Sequence, residues 1–142
     1  MKYLSIITIV IALIGSSFVW APANADEPGI NFETLSFEEA IQKAKKENKL
    51  IFLDAYAVWC GPCKMMDRTT FKSEEVGKVF NKNFINIKID MEKGEGPALA
   101  RRFQVRAYPT MMLINGEGKV EKRILGAVRD AQLLSEVKDF VK

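Results

Sequence analysis

Two spacings of apolar residues alternate along this chain, and the switches between them mark its elements. Phe37, Ala40, Ile41 and Ala44 recur at helical spacing, with the charged Lys43, Lys45, Lys46 and Glu47 on the other face. Ser36-Phe37-Glu38-Glu39 in front of them is a capping-box pattern, and the helix is expected to end near Asn48. Leu50 to Tyr56 is apolar except for Asp54, as in a central strand covered on both faces. A second helix is predicted from Cys60 to about Thr70, with Met65 and Met66 placed in the core. Ser73-Glu74-Glu75 starts a third, striped by Val76, Val79 and Phe80. Phe84 to Asp90 reads as a strand whose apolar run is interrupted by Asn86 and Lys88.

After a loop rich in Gly and Glu, Pro97 fits the first turn of a short helix through about Phe103. Thr110 to Ile114 and Val120 to Leu125 read as strands joined by a hairpin turn at Asn115-Gly116-Glu117-Gly118. Leu133, Leu134, Val137, Phe140 and Val141 form the apolar face of a last helix starting near Asp130. Asp26 to Thr34 is polar and reads as a linker, in which Ile30-Asn31-Phe32 could add a short edge strand. Helix-linked strands imply parallel pairing, and the hairpin adds antiparallel strands. The expected fold is α/β, with a mixed central sheet and helices on both faces.

The N-terminus reads as an export signal. Lys2 is followed by an apolar run from Leu4 to Ile14, broken only by Ser5 and Thr8, and Ala23-Asn24-Ala25 fits a small-residue cleavage site. Residues 1–25 are therefore read as a cleaved secretory signal, 26–35 as a linker and 36–142 as one domain. Periplasmic or secreted localisation follows. The competing reading is an uncleaved membrane anchor, since the apolar zone can be extended to Trp20.

Charge and composition mainly exclude. Net charge is +3, from 21 basic and 18 acidic residues that are interleaved, so nucleic acid is not implied. The absence of histidine removes Cys-His hydrolases, His-metal sites and His general bases.

The two cysteines carry the candidate chemistry. They stand in Trp59-Cys60-Gly61-Pro62-Cys63-Lys64, between a predicted strand and a predicted helix. A cysteine at a helix N-terminus faces unpaired N–H groups and the positive end of the dipole, which favour the nucleophilic thiolate. Cys63, one turn on, can close a disulfide with it. A zinc site would need further Cys or His ligands, and a structural bridge over so short a loop would stabilise little. Redox cycling is the preferred reading, with no cofactor and no metal. Asp54 is either a structural acid or a proton acceptor whose pKa burial would raise. Pro109 alone would be expected trans.

The cysteine motif resembles the active site of the thioredoxin family. Asp54 matches the family's buried acid six residues before the first cysteine, Pro109 before Thr110 matches its cis-proline, and Leu125-Gly126-Ala127 looks like its groove glycine. The segment Asp54 to Cys60, with Thr70-Phe71, also resembles the C-terminal domain of the membrane thiol:disulfide interchange protein. The resemblance spans about Ser36 to Lys142 and implies a thioredoxin fold. It implies that Cys60, Cys63 and Asp54 are catalytic, and that Trp59, Gly61, Pro62, Tyr108, Pro109 and Gly126 bind substrate. Two departures stand out. Asn86 occupies the place where the family commonly has a lysine near the acid, and Tyr108 replaces the usual small or aliphatic residue before the cis-proline.

The sequence thus predicts an exported, monomeric reductase of protein disulfides, recharged by a membrane electron-transfer protein. The alternatives are a dithiol oxidase or isomerase and a non-catalytic thioredoxin-fold binding or chaperone module.

Overall fold

In the computed structural model, residues 28–142 are described; the export signal read at 1–25 lies outside them. The order is α1 (Phe37–Glu47), β1 (Leu50–Tyr56), α2 (Gly61–Arg68), a 3-10 turn (Thr70–Lys72), α3 (Glu74–Asn83), β2 (Phe84–Asp90), α4 (Gly96–Arg102), β3 (Thr110–Ile114), β4 (Val120–Leu125) and α5 (Asp130–Val137). The four strands run β2-β1-β3-β4; β1 and β2 are parallel, the other pairs antiparallel.

Local chemistry sets the ends of α1. The Ser36 hydroxyl accepts from the Glu39 amide, the Glu39 carboxylate accepts from the Ser36 amide, and Asn48 closes the helix in the left-handed conformation at φ 51°.

Strand parity divides the core in two. Ile51, Leu53 and Ala55 of β1, with Ile85, Ile87 and Ile89 of β2, pack against α1 and α4. Phe52, Phe84, Met111 and Leu113 face the other way, against Met66 of α2, Phe80 of α3 and Leu133 of α5. Asp54 shares the parity of Phe52 and so lies on the side covered by α2.

Three expectations need correction. Met66 is fully buried, but Met65 is 43% exposed, because the next position on a helix is rotated by about 100° to the outer face. Ile30 to Phe32 forms no strand. The stretch 28–35, read as a linker, lies against the domain instead. The Ile30 amide donates to the Phe71 carbonyl, the Asn31 amide to Asn81 Oδ1, and the Glu33 amide to the Asn86 carbonyl. The Phe32 ring packs on Phe52 and Phe71. Close approach makes this docking feasible: a Cβ on Gly77 would come within 2.3 Å of the Gly29 carbonyl oxygen.

Candidate active site

The end of β1 and the start of α2 place the cysteines. Tyr56 closes the strand, and the Cys60 amide donates to the Ala57 carbonyl at 3.0 Å, turning the chain into the helix. Cys60 is the N-cap of α2, and its sulfur accepts the Cys63 amide at 3.2 Å. Pro62 sits in the first turn, where its missing N–H costs nothing. Cys60 and Cys63 are joined as a disulfide, with Cα atoms 5.3 Å apart. Both residues are nearly covered, at 2% and 1% exposure, and pack with Ala57, Tyr56 and Tyr108.

The residues singled out in the sequence converge here. Trp59 is 64% exposed, and its ring meets Tyr108 edge-on at 5.8 Å. The Tyr108–Pro109 peptide bond is cis. The Pro109 carbonyl accepts the Gly126 amide at 2.9 Å, bringing the end of β4 beside it. Gly126 has φ 77°, a conformation that favours glycine. Gly61 and Pro62 are exposed at the tip of the α2 turn.

Asp54 has no exposed surface. Its Oδ2 accepts from Lys88 Nζ at 2.8 Å, while its Oδ1 has no hydrogen-bond partner among the described residues. Lys88 Nζ also pairs with Asp67 of α2, one helical turn beyond Cys63 and on the same stripe. The Tyr56, Phe71 and Phe32 rings lie 4.5, 5.4 and 5.8 Å from that ammonium. Burial raises the Asp54 carboxyl above its ordinary range; Lys88 offsets this only in part, and Asp67 adds to it. Burial works against the Lys88 ammonium, but Asp54 and Asp67 outweigh it and hold its pKa above the usual lysine value.

Asn86 therefore does not stand in for a lysine beside the acid. The parallel register sets Asn86 opposite Phe52 and Lys88 opposite Asp54. Asn86 and Lys88 share a strand face, and only the register between strands chooses which meets the acid. The signal that could have found Lys88 was that shared parity. Asp67 was legible from its spacing to Cys63. Glu92 was missed as well: its carboxylate accepts the Trp59 indole N–H at 2.9 Å, from a loop whose path no periodicity encodes.

Comparison with known proteins agrees with this geometry. Residues 30–139 match the thioredoxin family model. A thioredoxin from Mycolicibacterium smegmatis is 40% identical over 92 residues, covering 65% of this chain and 79% of that protein. The solution structure of a proposed disulphide-isomerase from Bacteroides thetaiotaomicron is 46% identical, covers 80% of this chain and 94% of that one, and superposes with a TM-score of 0.71. The reduced C-terminal domain of DsbD from Neisseria meningitidis is 26% identical over 72% of this chain and 92% of its own, with a TM-score of 0.61. The family match over 30–139 and the cysteine pair at the head of α2 agree, and the chain belongs to the thioredoxin family as a thiol–disulfide oxidoreductase.

Proposed function

We propose that the protein is exported and reduces disulfides in extracytoplasmic proteins. The Cys60 thiolate attacks a substrate disulfide, forming a mixed disulfide and releasing one substrate thiolate. Cys63 then loses its proton to Asp54, and its thiolate attacks the Cys60 sulfur. The Cys60–Cys63 bond closes, and the second substrate thiolate leaves with the two electrons. Two features of Asp54 suit it to accept that proton: a carboxyl raised by burial and an oxygen without a partner. Trp59 and Tyr108 form the rim, Gly61 and Pro62 leave the attacking side open, and the backbone around Pro109 and Gly126 receives the substrate chain. As the Gly126 amide occupies the Pro109 carbonyl, pairing with that chain falls to the neighbouring peptide groups.

The observation that carries the direction is the charge around Cys60. Its sulfur accepts one amide. On the elements that carry the motif, the exposed cation Lys64 is opposed by buried Asp54 and part-exposed Asp67, two carboxylates that share the Lys88 ammonium, a balance that does not favour a further anion. Strong oxidants of this kind depend on a stabilised thiolate. The potential should therefore lie nearer the roughly −270 mV of thioredoxin than the roughly −120 mV of a strong oxidase. Equilibration with glutathione, followed by Trp59 fluorescence, measures it. The isomerase reading is favoured by the 46% identical Bacteroides structure, and a potential above about −180 mV would establish it instead. Absence of insulin reduction by the wild-type protein would point to a binding module.

A reductant outside the cytoplasm has to be recharged. The likeness to the DsbD C-terminal domain supports a membrane electron-transfer protein as donor. The apolar pattern of 4–14 and the small residues Ala23-Asn24-Ala25 support cleavage after Ala25. Intact-mass measurement on exported material should show a chain starting at Asp26; retention of Met1 would favour the anchored form.

A further inference from the structure

An open hollow of about 580 Å³ lies between the outer face of α2 and the loop leading into α5. Met65 and Thr69 form one wall, and Ala127, Val128 and Ala131 the other. The Thr70 hydroxyl donates to the Val128 carbonyl at 2.8 Å, fixing the two walls together. Its lining adjoins the reactive residues along the chain: the loop wall begins with Ala127, next to Gly126, and Met65 follows Cys63 by two residues on α2. Met65, at 43% exposure, offers a flexible apolar surface.

Arg129 lines the hollow from the loop, and the exposed Lys64 and Arg68 neighbour Met65 on α2 just outside it. None of the three has an ion pair or side-chain hydrogen bond among the described residues, while Lys78, Lys88 and Lys122 are all paired. Asp130 is the one acid at the edge. An apolar floor with unpaired Arg129 and Asp130 at its edge, next to the unpaired Lys64 and Arg68 on α2, complements an acidic segment carrying an apolar side chain.

We propose that this hollow is a specificity subsite of the disulfide substrate: an apolar side chain near the target cysteine seats on Met65, and flanking carboxylates meet Lys64, Arg68 and Arg129. The proposal rests on the reading of Cys60 as nucleophile, but not on the direction of electron flow. The test is therefore a capture rate rather than turnover. Reduced Cys63→Ser protein is mixed with peptides whose single cysteine is activated as a mixed disulfide with nitrothiobenzoate. Cys60 thiolate attacks the peptide sulfur, the protein–peptide disulfide forms, and nitrothiobenzoate leaves as its coloured thiolate. Three peptides are compared, with Glu-Leu, Gln-Leu or Lys-Leu beside the cysteine.

Capture of the Glu-Leu peptide should exceed that of Lys-Leu by about fivefold at low salt, and by less than twofold at high ionic strength. An Arg68→Glu/Arg129→Glu variant should reverse the order and leave Gln-Leu unchanged. Met65→Ala should slow all three peptides without altering their order. Equal rates for the acidic and basic peptides, or an order unchanged by the charge reversal, would overturn the subsite alone. No capture of any peptide would remove Cys60 as nucleophile and the subsite with it.

Discussion

Cys60→Ser is expected to abolish disulfide exchange, lowering turnover of insulin by roughly a thousandfold or more, whereas Cys63→Ser should stop the cycle after the first step. The difference comes from position, since exposure does not separate the two residues. Cys60 caps α2 from outside, its sulfur turned toward the Cys63 amide. Cys63 lies inside the first turn, on the stripe that Asp67 continues toward Lys88 and Asp54. With Cys63 gone, the mixed disulfide on Cys60 has no internal attacker and should accumulate as a covalent protein–substrate adduct on non-reducing gels. Peptide mapping of the reduced wild type after brief iodoacetamide treatment at mildly acidic pH should place the label on Cys60. Predominant labelling of Cys63, or turnover surviving Cys60→Ser, would reverse the assignment of the two thiols.

Asp54→Asn should make the protein more stable and less active. At neutral pH the buried carboxyl keeps one oxygen without a partner, and Lys88 compensates only the other. An amide of the same shape carries no charge to desolvate, and Lys88 retains Asp67. A gain of about 1–2 kcal/mol in unfolding free energy is expected at pH 7. The pH dependence identifies the cause. Because the folded-state pKa is raised above the ordinary 3.8, the penalty is absent below that pH, where the acid is protonated in both folded and unfolded chains. It grows as pH rises through the raised pKa. The variant's advantage in urea unfolding should thus disappear in acid and reach a plateau above the folded pKa. Turnover should fall by roughly a hundredfold at pH 7, with mixed disulfide accumulating, if Asp54 takes the Cys63 proton. A stability difference independent of pH would mean that desolvation of the carboxylate is not its source, and unchanged turnover would remove Asp54 from the proton path.

These two experiments probe features of different origin. The cysteine pair, the capping box before α1 and the hairpin turn at Asn115 to Gly118 depend on neighbours a few residues apart. Helical and strand periods, N-cap chemistry and turn residues act over that range, so the order of elements and the reactive head of α2 were legible from the chain alone. The same local rules assigned both Met65 and Met66 to the core. They could not tell which of two adjacent helix positions would face the sheet, because that depends on how α2 is rotated against β1.

By itself, the sequence determined the alternation of elements, the dithiol at a strand-to-helix turn and the presence of an acid within a central strand. Tertiary structure alone decided what surrounds that acid. The parallel register of β1 and β2 brings Lys88 rather than Asn86 to Asp54, and the packing of α2 adds Asp67 to the same ammonium. Docking of residues 28–35 sets the Phe32 ring beside it. The path of the loop after β2 brings Glu92 to the Trp59 indole. Each of these pairs joins residues 21 to 56 positions apart. Their meeting follows from burying two apolar sheet faces at once, a condition that the whole fold satisfies and no local segment expresses.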